Sequence, residues 1–272
     1  GLLCTRNSAL STQIGGLLVA SNEIGVQLYT LRALGAEDFP GMLAKVAGAG
    51  YGWVEFAGYG GLAVTELKSI MDRLGLKTIG AHVPITRFDS EIETVIEELH
   101  TLEAEYAIVP WLAPEARPTD RDGGLRLAEQ LSKYGEKVSA GGLKFAYHNH
   151  DFELAKVDGE TTILDLIASE TDPAHVSIEL DIYWAYFAGG DSVSLTERYA
   201  GRVPLIHAKD LRALGEKGDA PVGEGVVDWP GYVPVARAAG VKWFIVEQDT
   251  PNPDDTVGDV ARSYANLEKF LA

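Results

Sequence analysis

KFAYHNHDFE, residues 144–153, begins as an apolar strand and turns abruptly polar, delivering His148, Asn149, His150, Asp151 and Glu153 in quick succession. Two of the six histidines of the chain fall here. Burying so many polar groups is costly unless something satisfies them. The run therefore reads as a buried strand whose C-terminal end opens onto a metal or a substrate. A hydrogen-bonded surface loop is the plainer alternative for this segment taken alone.

The same grammar recurs from residue 24 onward: a short apolar strand, a polar or aromatic tip, then an amphipathic helix. The other strand candidates are IGVQLY (24–29), GWVEF (52–56), KTIGAHV (77–83), YAIVPW (106–111), VSIELDIYW (176–184), VPLIHAKD (203–210) and KWFIVEQD (242–249), which with KFAYHNH (144–150) makes eight. Between them Leu67, Ile70, Met71 and Leu74 form one apolar stripe at helical spacing, and Ile92, Val95, Ile96 and Leu99 another. Ser90 with Glu93 predicts a capping box opening the second of these helices. A last helix carrying Val257, Val260, Ala261, Tyr264 and Leu267 is expected to close the chain against the first strand.

Strands that alternate with helices pair in parallel through crossover connections, and eight such units in 272 residues fit a closed α/β architecture, the (β/α)8 TIM barrel. A doubly wound open sheet is weakened by the absence of any GxGxxG or GxxxxGK[ST] phosphate loop after a strand. No linker or shift in composition marks a second domain. The expected organisation is a loosely ordered N-terminal extension over residues 1–23 and a single barrel over residues 24–272.

Composition narrows the partners. With 46% hydrophobic and 23% charged residues the chain can bury a sizeable core without staples. Its formal charge of -17, from 40 acidic and 23 basic residues, disfavours nucleic acid and anionic membrane surfaces, which need a basic face. A small-molecule substrate or a cation fits better, and assembly into a homo-oligomer stays open. Cys4 is the single cysteine, so no internal disulfide forms and a reducing, cytoplasmic home fits. No apolar run approaches the roughly 20 residues of a membrane span, and the first residues lack a basic n-region with a continuous apolar core. The chain does not begin with Met, which leaves a processed or cloned form, or a removed export signal, as alternatives.

In a barrel the C-terminal ends of all strands converge on one mouth. The polar residues at those ends are Gln27, Tyr29, Glu55, His82, Trp111, His148, His150, Glu179, Asp181, His207, Lys209, Glu247 and Asp249. Residues two apart share a face, which pairs His148 with His150, Glu179 with Asp181 and His207 with Lys209. Imidazole with carboxylate is the ligand set of one divalent metal ion, Mn, Co, Mg or Zn, and the lack of cysteine ligands argues against structural zinc. With an open coordination position the ion would hold a hydroxy-ketone and stabilise the enediolate left by loss of the adjacent proton. That is isomerase or epimerase chemistry.

The tips IELD (178–181), LIHAKD (205–210), PVGEGVVDW (221–229) and FIVEQD (244–249), with GVQLYTLR at the first strand and YHNHDFE at the fifth, resemble the xylose-isomerase-like sugar phosphate isomerase/epimerase family. The likeness runs from about residue 24 to the C-terminus. It implies a barrel that binds one divalent ion at the mouth through strands five to eight, typically by Glu, Asp, His and Glu. Asp181, His207 and Glu247 match the last three. At strand five the sequence departs, with His148-Asn149-His150 where many relatives have Glu, which implies that His148 takes the ligand position. The change also unsettles the two-glutamate proton exchange of the epimerase relatives and resembles the inosose-dehydratase-like branch.

The implied metal ligands are thus His148, Asp181, His207 and Glu247, against the plainer alternative of a hydrogen-bonded polar plug. Glu247 is also a candidate base, with Glu153, His150 or Lys209 as its partner across the substrate. His82 could touch a substrate hydroxyl or be a polar core contact. Glu55 and Glu179 are placed with it at the substrate, with two alternatives: Glu55 orienting another site residue, Glu179 partnering a ligand histidine or pairing with Lys209. Trp111, with Trp53 and Trp184, could wall a sugar ring. His100 and His175 are assigned no role.

The leading expectation is a metal-dependent sugar or keto-sugar isomerase/epimerase, with a dehydratase/lyase acting on a keto-sugar or keto-cyclitol close behind. DNA repair at abasic sites, known in the same superfamily, is disfavoured by the charge, and an inactive sugar-binding protein is a further alternative. Lys209 and Arg212 are the only obvious cations for a phosphate near strands seven and eight, which favours an uncharged sugar.

Overall fold

Eight short parallel strands close into a ring: β1 (Ile24–Gln27), β2 (Trp53–Ala57), β3 (Lys77–His82), β4 (Tyr106–Val109), β5 (Lys144–His148), β6 (Ser177–Asp181), β7 (Leu205–Ala208) and β8 (Trp243–Val246). Each pairs with its neighbours in chain order, and β8 returns to β1. The computed structural model describes residues 23–188 and 191–272. The expected extension over residues 1–23 lies, apart from Glu23, outside the described residues.

Strands covered on both faces must be apolar throughout, and β4 and β8 are buried at every position. The helices supply the outer cover with the stripes read from the sequence. Leu67, Ile70 and Met71 are buried on the helix Val64–Leu74; Ile92, Val95 and Leu99 on Ile92–Thr101; Val260, Tyr264 and Leu267 on Thr256–Leu271. Leu74 and Ile96 sit at the half-buried edges of their stripes. Tyr51 donates its hydroxyl to Val260 O, fastening the last helix beside the entry to β2.

Several local expectations are corrected. The strands stop earlier than the apolar runs that announce them. After β6 the Asp181 carboxylate accepts from Tyr183 N and caps a helix, Ile182–Phe187, so the run IYW turns helical. After β7 the chain leaves the barrel, and Asp210–Leu211 pairs antiparallel with Asp219–Ala220. Ser90 opens no capping box. It ends a short helix, Ile85–Ser90, and its hydroxyl donates back to Thr86 O, while the next helix starts from Glu91 without a side-chain cap. A capping box does form at Thr162 and Asp165. Trp53 lies at the other end of the barrel from the mouth, tilted against Trp243 at 4.8 Å, where Ile79, Tyr106, Ile108, Leu205 and Ile245 pack with them.

Register decides what reaches the mouth. Pairing places Gln27 beside Glu55, His148 beside Glu179, and Asp181 beside His207, so these side chains share the inward face. Between β2 and β3 the register slips: Val54 pairs with Thr78 but Glu55 with Gly80. Ile79 is the extra residue, and it packs inside the barrel. Without this bulge Ala81 would face inward; with it, His82 does. Gly80 makes the bulge feasible, because a Cβ there would lie 2.8 Å from Tyr106 O and 3.0 Å from the Ile108 side chain. We expect Gly80→Ala to lower stability by about 1–3 kcal/mol through overpacking, read from the urea midpoint at unchanged m-value.

Candidate active site

The inward faces of β2, β3 and β5 to β8 deliver imidazole and carboxylate groups to one small volume. One ligand atom each from His148, Asp181, His207 and Glu247 lies within 4.8 Å of all the others, and none of these residues is more than 6% exposed. His207 Nδ1 is 2.8 Å from Glu247 Oε2, and His148 Nε2 is 3.9 Å from Asp181 Oδ2. Asp181 is held from behind: its N–H donates to Asn149 Oδ1 at 3.0 Å and its Oδ1 accepts from Tyr183 N. That leaves Oδ2 for the cluster. Lys209 Nζ completes it, 3.4 Å from Asp181 Oδ2, 3.3 Å from Glu247 Oε2 and 2.7 Å from Asp249 Oδ2, with the Tyr183 and Trp184 rings at 5.1 and 5.3 Å.

Beneath this layer lie Glu55 and Glu179, both fully buried. Glu179 Oε2 is 2.8 Å from His82 Nε2, 3.1 Å from His148 Nδ1 and 3.2 Å from His207 Nε2. Glu55 Oε1 is 3.1 Å from His82 Nε2 and 2.9 Å from His207 Nε2, and it accepts from Gln27 Nε2 at 2.7 Å. Gln27 is itself fixed by Tyr29 N, which donates to its Oε1. His82, His148, Glu179 and His207 thus form a second group of ligand-type atoms within the same distance limit.

Burial and neighbours push the charges apart. Burial alone would raise Glu247, but Lys209 and His207 outweigh it and hold the carboxyl well below its usual range. Burial likewise opposes the Lys209 ammonium, yet Asp181, Glu247 and Asp249 keep it protonated far above the ordinary lysine range. Asp181, which burial raises more than Lys209 and His207 can offset, is pushed up to about 7. Burial and then the positive charge of Lys209 bring His150 down to about 3, so it stays neutral, and burial depresses His148 too. His82 goes the other way, to about 9, because Glu55 and Glu179 overcome its burial.

Above the cluster opens a pocket of about 960 Å³ lined by His82, His148, His150, Glu247 and Asp249, with Tyr29, Trp111 and Trp184 among its aromatic walls. His150 stacks on Phe152 and tilts against Trp184. Of the residues expected at the substrate, His82 and Trp111 border this pocket, whereas Glu55 and Glu179 sit below the histidines and do not. Nor does Glu153. It is fully buried behind the rim, accepting from Tyr147 OH at 2.7 Å and His150 N at 2.8 Å. Arg212 lines a different pocket and donates to Asp219 O.

Two supports escaped the sequence reading. Asn149 lies on the outward parity between two histidines and aligns Asp181 through its backbone. Asp210, the last residue of LIHAKD, is fully buried and accepts from the N–H groups of Leu211, Gly223, Gly225 and Val227 and from Trp229 Nε1, at 2.9–3.3 Å. Its carboxylate is the hub on which PVGEGVVDW folds. A Cβ at Gly225 would lie 2.3 Å from Asp210 Oδ1. The motif spacing was visible; a buried anion binding its own loop was the physical reason for it.

A family model described as xylose isomerase-like TIM barrel matches residues 43–267. The chain belongs to that family. Its relatives include enzymes of more than one reaction class. The rhizopine catabolism protein MocC of Rhizobium meliloti is 23% identical over 267 residues, covering 85% of this chain and 81% of that protein. Inosose dehydratase of Geobacillus kaustophilus (strain HTA426) is 25% identical over 206 residues, 65% of this chain and 66% of the relative. A solved sugar phosphate isomerase/epimerase from Parabacteroides distasonis ATCC 8503 superposes with a TM-score of 0.80 at 24% identity, over 97% of this chain and all of that one. Among the described residues no helix is long and apolar enough to cross a membrane.

Glu153 generates a test of the rim. Burial pushes its carboxyl up to about 7 from an unfolded value near 4.5, so the folded protein binds the extra proton between those values. The stability this confers is complete below about pH 4.5 and is lost as pH rises through 7, at most about 3 kcal/mol in all. In Glu153→Gln we expect that part of the slope to vanish from urea-unfolding free energies measured between pH 4.5 and 7.5.

Proposed function

We propose that this chain is a divalent-metal-dependent enzyme that removes a proton beside the carbonyl of a small polyhydroxy ketone and then expels water. The observation that carries the reading is the convergence of His148, Asp181, His207 and Glu247 beneath one pocket, with the buried Lys209 Nζ 3.3 Å from Glu247 Oε2.

The donor set suits an ion: two imidazoles and two carboxylates converge, no sulfur is present, and a cationic ammonium already leans on both carboxylates. His148, Asp181, His207 and Glu247 would hold it, and a bound ion would polarise the substrate carbonyl. Glu247, ionised and lining the pocket, takes the proton from the carbon next to the carbonyl. The electron pair left behind forms a carbon–carbon double bond as the hydroxyl two carbons from the carbonyl departs. Lys209 donates a proton to that hydroxyl, releasing water, and Asp249 keeps the ammonium aimed. The atoms balance without oxidant or reductant. His150, neutral, and His82 are set to hydrogen-bond the remaining hydroxyls, with Trp111 and Trp184 against the carbon skeleton.

Two facts favour elimination over exchange between two glutamates. The fifth strand contributes His148 to the cluster, and Glu153, the nearest glutamate after it, is turned back onto Tyr147. The similarity to inosose dehydratase supports the same direction and a keto-polyol as substrate. Lys209 is surrounded by three carboxylates and Arg212 faces elsewhere, so neither sequence-derived candidate for a phosphate serves, while Arg87, Arg117 and Lys217 are the cations that line the pocket. Isomerisation or epimerisation is the second reading, supported by Asp151, which borders the pocket beside His150 and could return a proton from another side.

The product decides between them. We expect the metal-loaded protein, given keto-polyols in deuterium oxide, to yield a product lighter by one water; unchanged mass with deuterium beside the carbonyl would establish isomerisation instead. Asp181→Ala and His207→Ala should each lose bound metal while keeping the far-UV spectrum, and retained stoichiometric metal in both would displace the site. Lys209→Gln should lower kcat by about 10²–10⁴-fold, with metal content unchanged.

A further inference from the structure

Glu55 and Glu179 are buried carboxylates whose only ion-pair partners among the described residues are histidines. Two such anions beneath an active site are expensive to hold there, and each keeps one oxygen, Glu55 Oε2 and Glu179 Oε1, without a hydrogen-bond partner. Among the described residues no lysine or arginine pairs with them, so whatever these carboxylates do passes through the imidazoles above.

An ionised carboxylate only accepts. The nitrogens that face it must therefore carry protons: Nε2 of His82, Nδ1 of His148 and Nε2 of His207. For the last two this determines what the opposite nitrogen can do. His148 turns Nε2 toward Asp181, and His207 turns Nδ1 toward Glu247. These are the nitrogens on the side of the four-residue cluster.

We infer that Glu179, assisted by Glu55, is a positioning residue for metal binding: it fixes the proton of both ligand histidines on the face away from the ion, so that His148 offers Nε2 and His207 offers Nδ1. The inference rests on the metal-site reading above. It explains why Glu179 Oε2 is shared by three imidazoles, since one oxygen locks the orientation of all of them. Gln27, by donating to Glu55 Oε1, holds the second carboxylate in reach of His82 and His207. It also separates the two groups of ligand-type atoms. An ion bound among His82, His148, Glu179 and His207 would need the lone pairs of the same nitrogens that here must be N–H, so the lower group is a hydrogen-bonded floor and the upper one the ion site.

Protein carrying ¹⁵N-labelled histidine tests this by two-bond ¹H–¹⁵N correlation before and after addition of Zn²⁺. In the metal-free protein we expect His148 to carry its proton on Nδ1, the reverse of the preference of free imidazole. With Zn²⁺ we expect one ion per chain, bound through His148 Nε2 and His207 Nδ1. Glu179→Gln should weaken Zn²⁺ about 10–100-fold in chelator competition, and Glu55→Gln should weaken it less, because Glu179 still holds His207. Metal on His148 Nδ1, two ions per chain, or an unchanged affinity in Glu179→Gln would overturn the inference. Should that variant not fold, the wild-type proton pattern decides alone. A protein that binds no Zn²⁺ yet shows the Nδ1 proton on His148 would sink the metal reading and leave the floor intact, which keeps the two failures apart.

Discussion

A closed parallel barrel has no second place to put a polar side chain that points inward. Every other residue of each strand faces the axis, and water is excluded along most of its length. Polar groups on that face must satisfy one another or a ligand. Here the lower end is sealed by Trp53, Trp243 and their apolar neighbours, and the whole polar load is carried by the upper end. Glu55, His82, His148, Glu179, Asp181, His207, Lys209 and Glu247 are therefore a single electrostatic unit, and the state of any one is set by the others.

That unit is layered. Glu55 and Glu179 face the histidines from below, and Asp181, Glu247 and Asp249 meet Lys209 above. Among the described residues His148 and His207 touch both layers, because imidazole has a nitrogen on each side of its ring, whereas His82 meets the lower carboxylates. This makes that pair the hinge between an enclosed floor, held by Gln27 and the strand register, and the open pocket above. Supports outside the barrel serve the same end. Asn149 holds the Asp181 backbone N–H, Tyr183 N occupies one Asp181 oxygen so that the other turns to the cluster, and Asp210 folds the loop that follows Lys209.

The barrel and the gathering of polar tips were legible in the sequence because both rest on local repetition. Apolar runs with a polar or aromatic tip recur eight times, six of them carrying His, Glu or Asp, and parity within each run tells which residues share a face. What stayed hidden depends on a partner far away in the chain. The bulge at Ile79 and Gly80 is a relation between β2 and β3, visible only when Glu55 is seen beside Gly80. Trp53 reads like any aromatic near a strand tip, but it stands at the start of β2, where Trp243 meets it. Glu153 has the chemistry of a catalytic carboxylate, and only the Tyr147 hydroxyl behind it shows which way it points. IYW continues the apolar run of β6, yet the Asp181 carboxylate converts it into the first turn of a helix.

The histidine at the fifth strand gains its meaning from the charge of the upper layer. Three carboxylates, Asp181, Glu247 and Asp249, gather round the Lys209 ammonium there, with His207, which despite its burial Glu179 and Glu247 hold protonated, beside them. A glutamate in place of His148 would add a further acidic group to that surplus. The pressure of that surplus is visible in Asp181, whose carboxyl is pushed up to about 7 because burial exceeds what Lys209 and His207 supply. A divalent ion would cancel the remainder without a further cation from the protein. Lys209 then need not be released to serve as ligand-layer counter-charge: with Asp249 still holding it at 2.7 Å, it keeps its proton beside the pocket. A neutral imidazole at the fifth strand and a buried, carboxylate-held lysine are thus two halves of one electrostatic arrangement.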